Sequence, residues 1–398
     1  MSGRGRICFN CEYLFPLLGS GPRVEFAGGA ETQQLKLARG LQARGFDVSI
    51  VTCDFGQPER LVIDGILVLR SFRLVSPIPV VRFFHPRLTR SIAALRRADA
   101  EVYYVNGSGV PSGITFDMAR SRRAGFVLHV ASDYEVIASL PRQPSILDRV
   151  WYRRALKQAD LRIAQTEAQG RSLRLEFGLD SQVLHNVVEI PAHAVDSGQD
   201  GTVVWLGTYK DIKRPQWFTD LAREFPDRRF VMAGVIPPPP LTREHWGRAQ
   251  EAANRTPNLS VRGFVDPTGI AELFAGASLL VHTSPVEGFS NVMLEAWSCG
   301  LPTVSAVDPD ALVTRQGLGA LVSEYPQLVR EVGRLLSDPE ARRAAGARAR
   351  SYVTSNHAPD MIYDRLSEIL DRVVAHVRKQ RAGRRLSARE PRAVDFPG

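Results

Sequence analysis

The most informative part of the chain is residues 282–304, which read HTSPVEGFSNVMLEAWSCGLPTV. The apolar run Ser278–His282 predicts a strand that ends where this segment begins, and a loop that contains Gly288 follows it. Ser290 is a favourable N-cap residue, so we expect a helix to begin directly after it. The segment therefore predicts a strand–loop–helix unit of the kind that builds α/β domains.

Two glutamates occupy different positions in this unit. Glu287 lies in the predicted loop, and Glu295 lies about one turn inside the predicted helix. The unpaired amides at the start of the helix, together with the positive end of its dipole, form a site for a diphosphate. The two carboxylates could then accept hydrogen bonds from sugar hydroxyls. Two surface glutamates on an ordinary strand–loop–helix are the alternative, but their spacing and the exit Gly300-Leu-Pro302 favour a binding site.

The rest of the chain alternates short apolar runs with helical patterns, which is typical of α/β proteins. The first series of predicted strands is Arg6–Phe9, Asp47–Cys53, Ile66–Arg70, Glu101–Asn106, Gly125–Val130, Leu161–Gln165 and Gln182–His185. The second series is Thr202–Leu206, Arg229–Ala233, Asn258–Arg262, Ser278–His282 and Pro302–Ala306. Helices are predicted between the strands, and three more close the chain at Pro326–Leu336, Glu340–Val353 and Pro359–Val377.

The length of the chain and the two series of strands predict two domains. At 398 residues the chain exceeds what one hydrophobic core usually supports. We predict a first doubly wound domain at residues 1–190, a linker at 191–201, a second doubly wound domain at 202–377 and a basic, disordered tail at 378–398. Because ligands of open α/β sheets bind at the carboxyl ends of strands, the cleft between the domains is the expected site.

The composition excludes several classes of protein. Hydrophobic residues make up 44% and charged residues 23%, as in ordinary globular proteins. No apolar run reaches the roughly eighteen residues of a membrane span, and the N-terminus lacks a signal-peptide pattern. This predicts a cytoplasmic protein, soluble or peripheral on the inner face of the cell membrane. The four cysteines, which we interpret as small buried side chains, are Cys8, Cys11, Cys53 and Cys299.

The net charge of +9 suggests an anionic partner. Residues 82–97 carry arginines between Leu88, Ile92 and Leu95, a pattern typical of a basic amphipathic helix that lies on anionic lipid. A helix that faces the core and leaves its arginines in water is the equally weighted alternative. Nucleic acid is not expected as a partner, since no recognisable binding module accompanies the charge.

The segment 282–304 resembles the signature of the family-4 retaining glycosyltransferases, which carry two glutamates separated by seven residues within an EGF…LEA…G.P context. The resemblance implies the GT-B architecture, two Rossmann-like domains facing each other across a cleft. It also implies transfer of a sugar from a nucleotide-diphosphate sugar, without a further cofactor or a metal. The implied acceptor is a lipid-linked glycan or a polysaccharide in bacterial cell-surface glycan synthesis.

The resemblance also assigns site residues, with the N-terminal domain on the acceptor side. Gly28-Gly29 looks like the family's glycine loop, the segment from Gly207 to Lys213 like the opening of the donor domain, and Gly263-Phe264-Val265 like the turn that packs on the base. The resemblance implies that Glu295 holds the ribose, Glu287 lies near the transferred sugar and Lys213 contacts the diphosphate. The predicted catalytic residues are Glu287 and Lys213, and the predicted donor-binding residues are Gly29, Gly207, Thr208, Phe264, Val265, Gly288, Phe289, Ser290, Asn291 and Glu295.

A physical argument that does not depend on the resemblance also places Lys213 at the diphosphate. Negative charge develops on the diphosphate as the bond to the sugar breaks, and a fixed cation stabilises that charge without a metal. A solvated lysine after a strand is the alternative.

Two positions depart from the family pattern. Thr208 stands where the family usually has an arginine, so Lys210 or Arg214 could supply the second cation. Val130 stands where many members have a histidine three residues before Asp133, which leaves His129 and Asp133 as weaker site candidates. A slip of one residue in a strand reverses the face of the side chain, so a core role is favoured for His129.

Two further alternatives concern activity. A sugar-nucleotide epimerase of the same architecture would release an altered free sugar. A non-catalytic homologue would bind nucleotide sugar or a partner without transfer. Asp308-Pro-Asp310 resembles the metal-binding acid pair of another glycosyltransferase architecture, but it follows a predicted strand and is interpreted as turn chemistry.

Overall fold

The computed structural model describes residues 3–19, 28–73, 83–141, 145–192, 201–236, 243–266 and 269–387, and for residues 83–85 and 384–387 it describes the backbone alone. Their strands form one sheet of eight and one sheet of six, each flanked by helices. The prediction of two doubly wound α/β domains is confirmed. Residues 193–200 of the predicted linker and 388–398 of the predicted tail lie outside the described residues.

The first sheet has the strand order β3-β4-β2-β1-β5-β6-β7-β8. Every pairing in it is parallel except that of β3 with β4. Its strands are β1 (Arg6–Asn10), β2 (Asp47–Asp54), β3 (Arg60–Ile63), β4 (Ile66–Arg73), β5 (Val102–Asn106), β6 (Gly125–His129), β7 (Leu161–Ala164) and β8 (Gln182–Val183). Its helices are α1 (Gly29–Ala43), α2 (Thr89–Ala98), α3 (Val110–Ser121), α4 (Ile146–Gln158) and α5 (Glu167–Phe177).

The second sheet is entirely parallel in its pairings, with the order β11-β10-β9-β12-β13-β14. Its strands are β9 (Thr202–Thr208), β10 (Phe230–Val235), β11 (Leu259–Val261), β12 (Ala277–His282), β13 (Thr303–Ser305) and β14 (Gly319–Leu321). The helices that follow in the chain are α6 (Pro215–Glu224), α7 (Glu244–Arg255), α8 (Ile270–Phe274), α9 (Asn291–Ser298), α10 (Leu312–Arg315), α11 (Tyr325–Ser337), α12 (Pro339–Asn356) and α13 (Pro359–Ser387).

Two edge strands, β3 and β14, are absent from the sequence prediction. The first forms a hairpin with β4 through Asp64-Gly65, and both turn residues have positive φ, 50° and 78°. An Asp-Gly pair favours this turn because both positions need the left-handed region. The turn signal was therefore present in the sequence, whereas β14 is three residues long and too short to show a periodicity.

The last helix, α13, corrects the predicted domain boundary. Its apolar residues Ile362, Leu366, Leu370 and Val374 are buried in the core of the first sheet, together with Ile7 and Phe9 of β1. The prediction that residues 202–377 form one domain is therefore wrong for residues 359–377. The helix also continues to Ser387, so residues 378–387 are not a tail without structure.

The two segments that connect the domains lie side by side. His357, which directly precedes α13, is buried, and its carbonyl oxygen accepts a hydrogen bond from Val188 N at 3.1 Å. The Nδ1 atom of His357 lies 2.7 Å from the carbonyl oxygen of Asn186. Both connections between the domains are thus fixed to each other at one place.

The structure also decides between the two interpretations of residues 82–97. Leu95 is fully buried, and Leu88 and Ile92 pack against the core of the first domain. Arg90, Arg96 and Arg97 are exposed. The apolar face of α2 is therefore occupied by protein, and the prediction that it lies on lipid is wrong for this helix. Arg82 lies outside the described residues.

Two further observations concern the described residues only. None of their helices has the length and apolar character that crossing a membrane requires. All four cysteines are buried and unpaired, as expected for small core side chains.

The packing of α13 generates a stability prediction. Leu366 is fully buried, so Leu366→Ala should lower the free energy of unfolding by about 2–5 kcal/mol. Met361 on the same helix is 42% exposed, and Met361→Ala should change it by less than about 1 kcal/mol. Denaturant unfolding followed by circular dichroism measures both variants. Equal losses would contradict the assignment of α13 to the first core.

Candidate active site

Apart from Gly29, which begins α1 in the first domain, the predicted donor residues lie at or next to the carboxyl edge of the second sheet. Thr208 ends β9, the pair Phe264 and Val265 follows β11, and Glu287 follows β12. Because β9 to β12 are parallel, the ends of these strands meet at one edge. The fold therefore brings together residues that are nearly 80 positions apart in the chain.

Glu287 forms the centre of a charged cluster at this edge. Its carboxylate accepts a short hydrogen bond from Lys213 Nζ, and its Oε1 atom lies 3.3 Å from His282 Nε2. Burial alone would raise the pKa of Glu287, but Lys213 and His282 outweigh burial and lower the pKa to about 2. Glu287 is therefore an anion at any physiological pH and cannot act as a proton donor.

Ser290 occupies the N-cap position of α9 as predicted, but its side chain does not cap the helix. The hydroxyl instead lies 3.1 Å from His282 Nε2, so it belongs to the Glu287 cluster. The expectation of a side-chain N-cap is wrong because His282 competes for the hydroxyl. The amides at the start of α9 have no side-chain cap, which suits them to bind an anion.

Glu295 has the opposite electrostatic environment to Glu287. Burial raises its pKa to about 7, and the charge of Lys36 in α1 only partly opposes this rise. Among the residues that the structure describes, none forms a hydrogen bond with this carboxylate. A half-buried carboxylate with both oxygens unpaired is suited to accept hydrogen bonds from the two hydroxyls of a ribose.

The two candidates for a second phosphate-binding cation differ in their surroundings. Arg214 has a left-handed backbone with φ 45°, and its guanidinium lies 4.6 Å from the centre of the Trp217 ring. Lys210 is exposed, and its charge acts across the cleft on Glu31, whose pKa burial raises and Lys210 partly lowers. Lys210 is therefore the better placed of the two to supply the charge that Thr208 lacks.

The loop before α9 contacts the first domain directly. Asn291 Nδ2 donates a hydrogen bond of 2.9 Å to the carbonyl oxygen of Gly29, and Asn291 Oδ1 accepts from Gln33 and Asn186 at 3.1 and 2.9 Å. A Cβ atom on Gly288 would lie 2.4 Å from Gln165 Oε1 and 2.6 Å from a backbone oxygen. Only glycine allows this approach.

Phe289 makes a further contact between the loop and the first domain, in the interior of the protein. Its backbone N–H donates to Gln165 Oε1 at 2.8 Å, and its buried ring lies 5.0 Å from that of His357. The loop before α9 is therefore held both at the cleft and at the place where the two connections between the domains meet.

The two weaker candidates have different positions. His129 is buried, its Nδ1 lies 2.5 Å from the Tyr104 hydroxyl, and burial lowers its pKa to about 3. It is a core histidine in this structure. Asp133 is in the cleft: its backbone N–H donates to the carbonyl oxygen of Glu287 at 3.3 Å, and burial raises its pKa to about 6.

Some residues of this region were missed by the sequence analysis. The signature gives His282 no role of its own, and Gln33, Gln165 and Asn186 belong to no motif. The sequence predicts only turn chemistry for Asp310, yet its carboxylate accepts hydrogen bonds from the first amides of α5 at 2.9 and 2.7 Å. It thus caps a helix of the other domain, which no pattern local to its own segment could predict.

A cavity of about 550 Å³ in the first domain opens beside α1. Its described lining includes three carboxylates, Glu12, Glu31 and Asp148, and one guanidinium, Arg87. Arg87 Nη2 lies 3.4 Å from Glu12 Oε1, so the single lining cation among the described residues is already paired. Gln34 and Asn106 line the same cavity. Gln34 Nε2 donates to Cys11 Sγ at 3.1 Å, whereas Gln34 Oε1 and both polar side-chain atoms of Asn106 are buried without a partner among the described residues.

Family models match both halves of the chain. Residues 28–187 match the glycosyl transferase 4-like domain, and residues 200–338 match the glycosyl transferases group 1. This chain belongs to the family-4, group 1 glycosyltransferases. It is a nucleotide-sugar-dependent, retaining enzyme, as the signature around Glu287 and Glu295 predicted.

The glycosyltransferase is similar over most of its length to curated and solved proteins. The D-inositol 3-phosphate glycosyltransferase of Mycobacterium tuberculosis strain H37Rv is 26% identical, over 88% of this chain and 80% of that protein. Sucrose-phosphate synthase from Thermosynechococcus elongatus superposes with a TM-score of 0.77 at 18% identity, covering 93% of this chain and 99% of that one. HepE of Anabaena, in complex with UDP and glucose, gives 0.71 at 17% identity, covering 92% and 99%. These structures confirm the predicted GT-B fold.

The raised pKa of Glu295 generates a pH prediction. The ionised carboxylate accepts ribose hydroxyls best, so the affinity for a nucleotide-diphosphate sugar should rise by up to roughly tenfold from pH 6 to pH 8. Glu295→Gln should bind more weakly and lose this pH dependence. Calorimetric titration at both pH values measures the effect, and the donor's diphosphate diester does not titrate in this range. The same pH dependence in the variant would show that another group causes it.

Proposed function

We propose that the glycosyltransferase moves a hexose from a nucleoside-diphosphate hexose to a hydroxyl of a glycan, either lipid-linked or part of a polysaccharide, in bacterial cell-surface glycan synthesis. The observation that carries the proposal is the cluster of Lys213, Glu287 and His282 at the start of α9. The first-domain cavity supplies the candidate acceptor site across the same cleft.

Leaving-group departure is the step that Lys213 would assist. The bond between the anomeric carbon and the diphosphate oxygen breaks, and negative charge appears on that oxygen. The ammonium of Lys213 and the uncapped amides of α9 would stabilise this charge. Glu287, fixed as an anion, would hold Lys213 in place and face the positive charge that develops on the sugar.

The acceptor hydroxyl would attack on the face that the diphosphate leaves, which retains the anomeric configuration. We assign its proton to the departing phosphate oxygen, because the ionised Glu287 is too weak a base to compete at its low pKa of about 2. With this assignment neither a protein base nor a metal is required for the step.

The chemistry of the first-domain cavity supports an uncharged, hydroxyl-rich acceptor. Glu12, Glu31 and Asp148 make its described lining acidic, and Arg87 is paired with Glu12. Such a lining repels a phosphate monoester and offers acceptors to sugar hydroxyls. UDP-hexoses are the first donors to test, since the complexes of HepE contain UDP with glucose and UDP-glucose.

Lys213 provides the sharpest test of the proposed site. Lys213→Ala should lower turnover by roughly 10²–10³-fold, because a preorganised contact to the leaving group is lost. Arg214→Ala is the matched control and should have a small effect, since Arg214 stacks on Trp217. Steady-state transfer rates at saturating donor measure both. Normal turnover in Lys213→Ala, with loss in Arg214→Ala or Lys210→Ala, would show that the loop is wrongly assigned.

The reaction class has a separate test. Purified protein, UDP-glucose and a lipid-linked or soluble oligosaccharide should yield a glycan one hexose longer, in the presence of a chelator, with the anomeric configuration of the donor. Mass spectrometry and proton NMR identify the product. Release of an altered free sugar would favour the epimerase, and donor binding without consumption would favour a non-catalytic homologue.

A further inference from the structure

The outward face of α4 combines apolar and basic side chains. Ile146 is 76% exposed and Val150 is 56% exposed, and the exposed Arg153 and Lys157 continue the same line along the helix. These positions are spaced by four, three and four residues, so they lie on one face of the helix. We call these four residues the stripe. It is apolar towards the N-terminal end of the helix and cationic towards the C-terminal end.

The stripe is not a core face exposed by chance. The opposite face of α4 carries Tyr152, Ala155 and Leu156, all fully buried in the first domain. Of the nine exposed large apolar side chains among the described residues, four lie between residues 137 and 150: Ile137, Ile146, Leu147 and Val150. This clustering differs from the isolated apolar residues of an ordinary surface.

The charged side chains that line the groove beside the stripe are all basic. The groove is shallow, with a volume of about 700 Å³, and Arg149, Arg153, Arg154 and Lys157 line it without a carboxylate among its described lining residues. Arg154 is paired with Asp117 at 2.9 Å, and Arg153 donates to a backbone oxygen. The side chains of Arg149 and Lys157 have no hydrogen-bond or ion-pair partner in the described part of the chain.

We infer that this face of α4 rests on an anionic lipid surface. Exposed Ile and Val side chains can enter the boundary between headgroups and acyl chains, while neighbouring arginine and lysine side chains reach the lipid phosphates. Nucleic acid would leave the apolar side chains without a partner, so the combination favours lipid. The surface for membrane contact is thus α4 and not α2, whose apolar face packs inside the domain.

The position of α4 connects this surface to the acceptor cavity. Ser145, Leu147 and Asp148, at the N-terminal end of the helix, line the cavity of the first domain. A bilayer in contact with the stripe would therefore lie at the edge of that cavity. A glycan on a lipid carrier could enter while its lipid stays in the membrane, and this consequence rests on the proposed function, whereas adsorption itself does not.

Co-sedimentation with vesicles tests the inference on the full chain. Wild-type protein should bind vesicles of phosphatidylglycerol and phosphatidylcholine, bind pure phosphatidylcholine far less, and dissociate as NaCl is raised. Arg153→Gln with Lys157→Gln should lower the partition coefficient roughly 25-fold, about fivefold for each cation. Ile146→Ser with Val150→Ser should lower it at high salt as well, because that contribution is apolar.

The matched control is Arg330→Gln with Arg343→Gln, two exposed arginines on α11 and α12 of the second domain. It removes the same charge and should leave binding within about twofold of wild type. Equal loss in the control and the α4 variant, or equal binding to both vesicle types, would overturn the inference. Donor binding and donor hydrolysis are measured in parallel, so that failure of the proposed function is distinguished from failure of membrane contact. Circular dichroism confirms that each variant is folded.

Discussion

The contact between the loop before α9 and the first domain is the constraint on which the site depends. The loop can come this close only because Gly288 carries no side chain that would meet Gln165. The approach is then fixed by polar atoms from both domains, with Asn291 bound to Gly29 on one side and Phe289 bound to Gln165 on the other. A larger residue at position 288 would separate the two halves of the cleft before any substrate was bound.

In the cleft between the domains, the two signature glutamates have opposite electrostatic environments. Glu287 is surrounded by Lys213 and His282, and its pKa is depressed to about 2. Glu295 is half-buried, only the charge of Lys36 opposes the effect of burial, and its pKa is raised to about 7. The two carboxylates, which have seven residues between them in the sequence, thus differ because of their neighbours and not because of their own chemistry. Glu287 is ionised throughout the physiological range, whereas the ionisation of Glu295 depends on pH and on what the carboxylate binds.

Much of the fold and the location of the site could be predicted from sequence because their signals are local. The strand, glycine loop and helix around Glu287 are contiguous, and α/β alternation is visible in short windows. The roles of Asp310 and Ser290 could not be predicted in this way. Asp310 caps a helix some 140 residues earlier in the chain, and the Ser290 hydroxyl is taken by His282. The return of α13 to the first sheet was missed for the same reason, since amphipathic periodicity shows that a helix is buried but not against which core.

The return of α13 has a consequence for how the polypeptide reaches its final form during synthesis. The first core contains β1 near the beginning of the chain and α13 after the whole of the second domain. A ribosome therefore exposes an incomplete first domain, with the surface of α1 that packs on α13 uncovered around Gly40, while some 170 residues of the second domain are made. The second domain has all of its strands before the first domain can close. Chaperones in the cell should therefore bind mainly the amino-terminal half, because this half is translated first and completes its fold last.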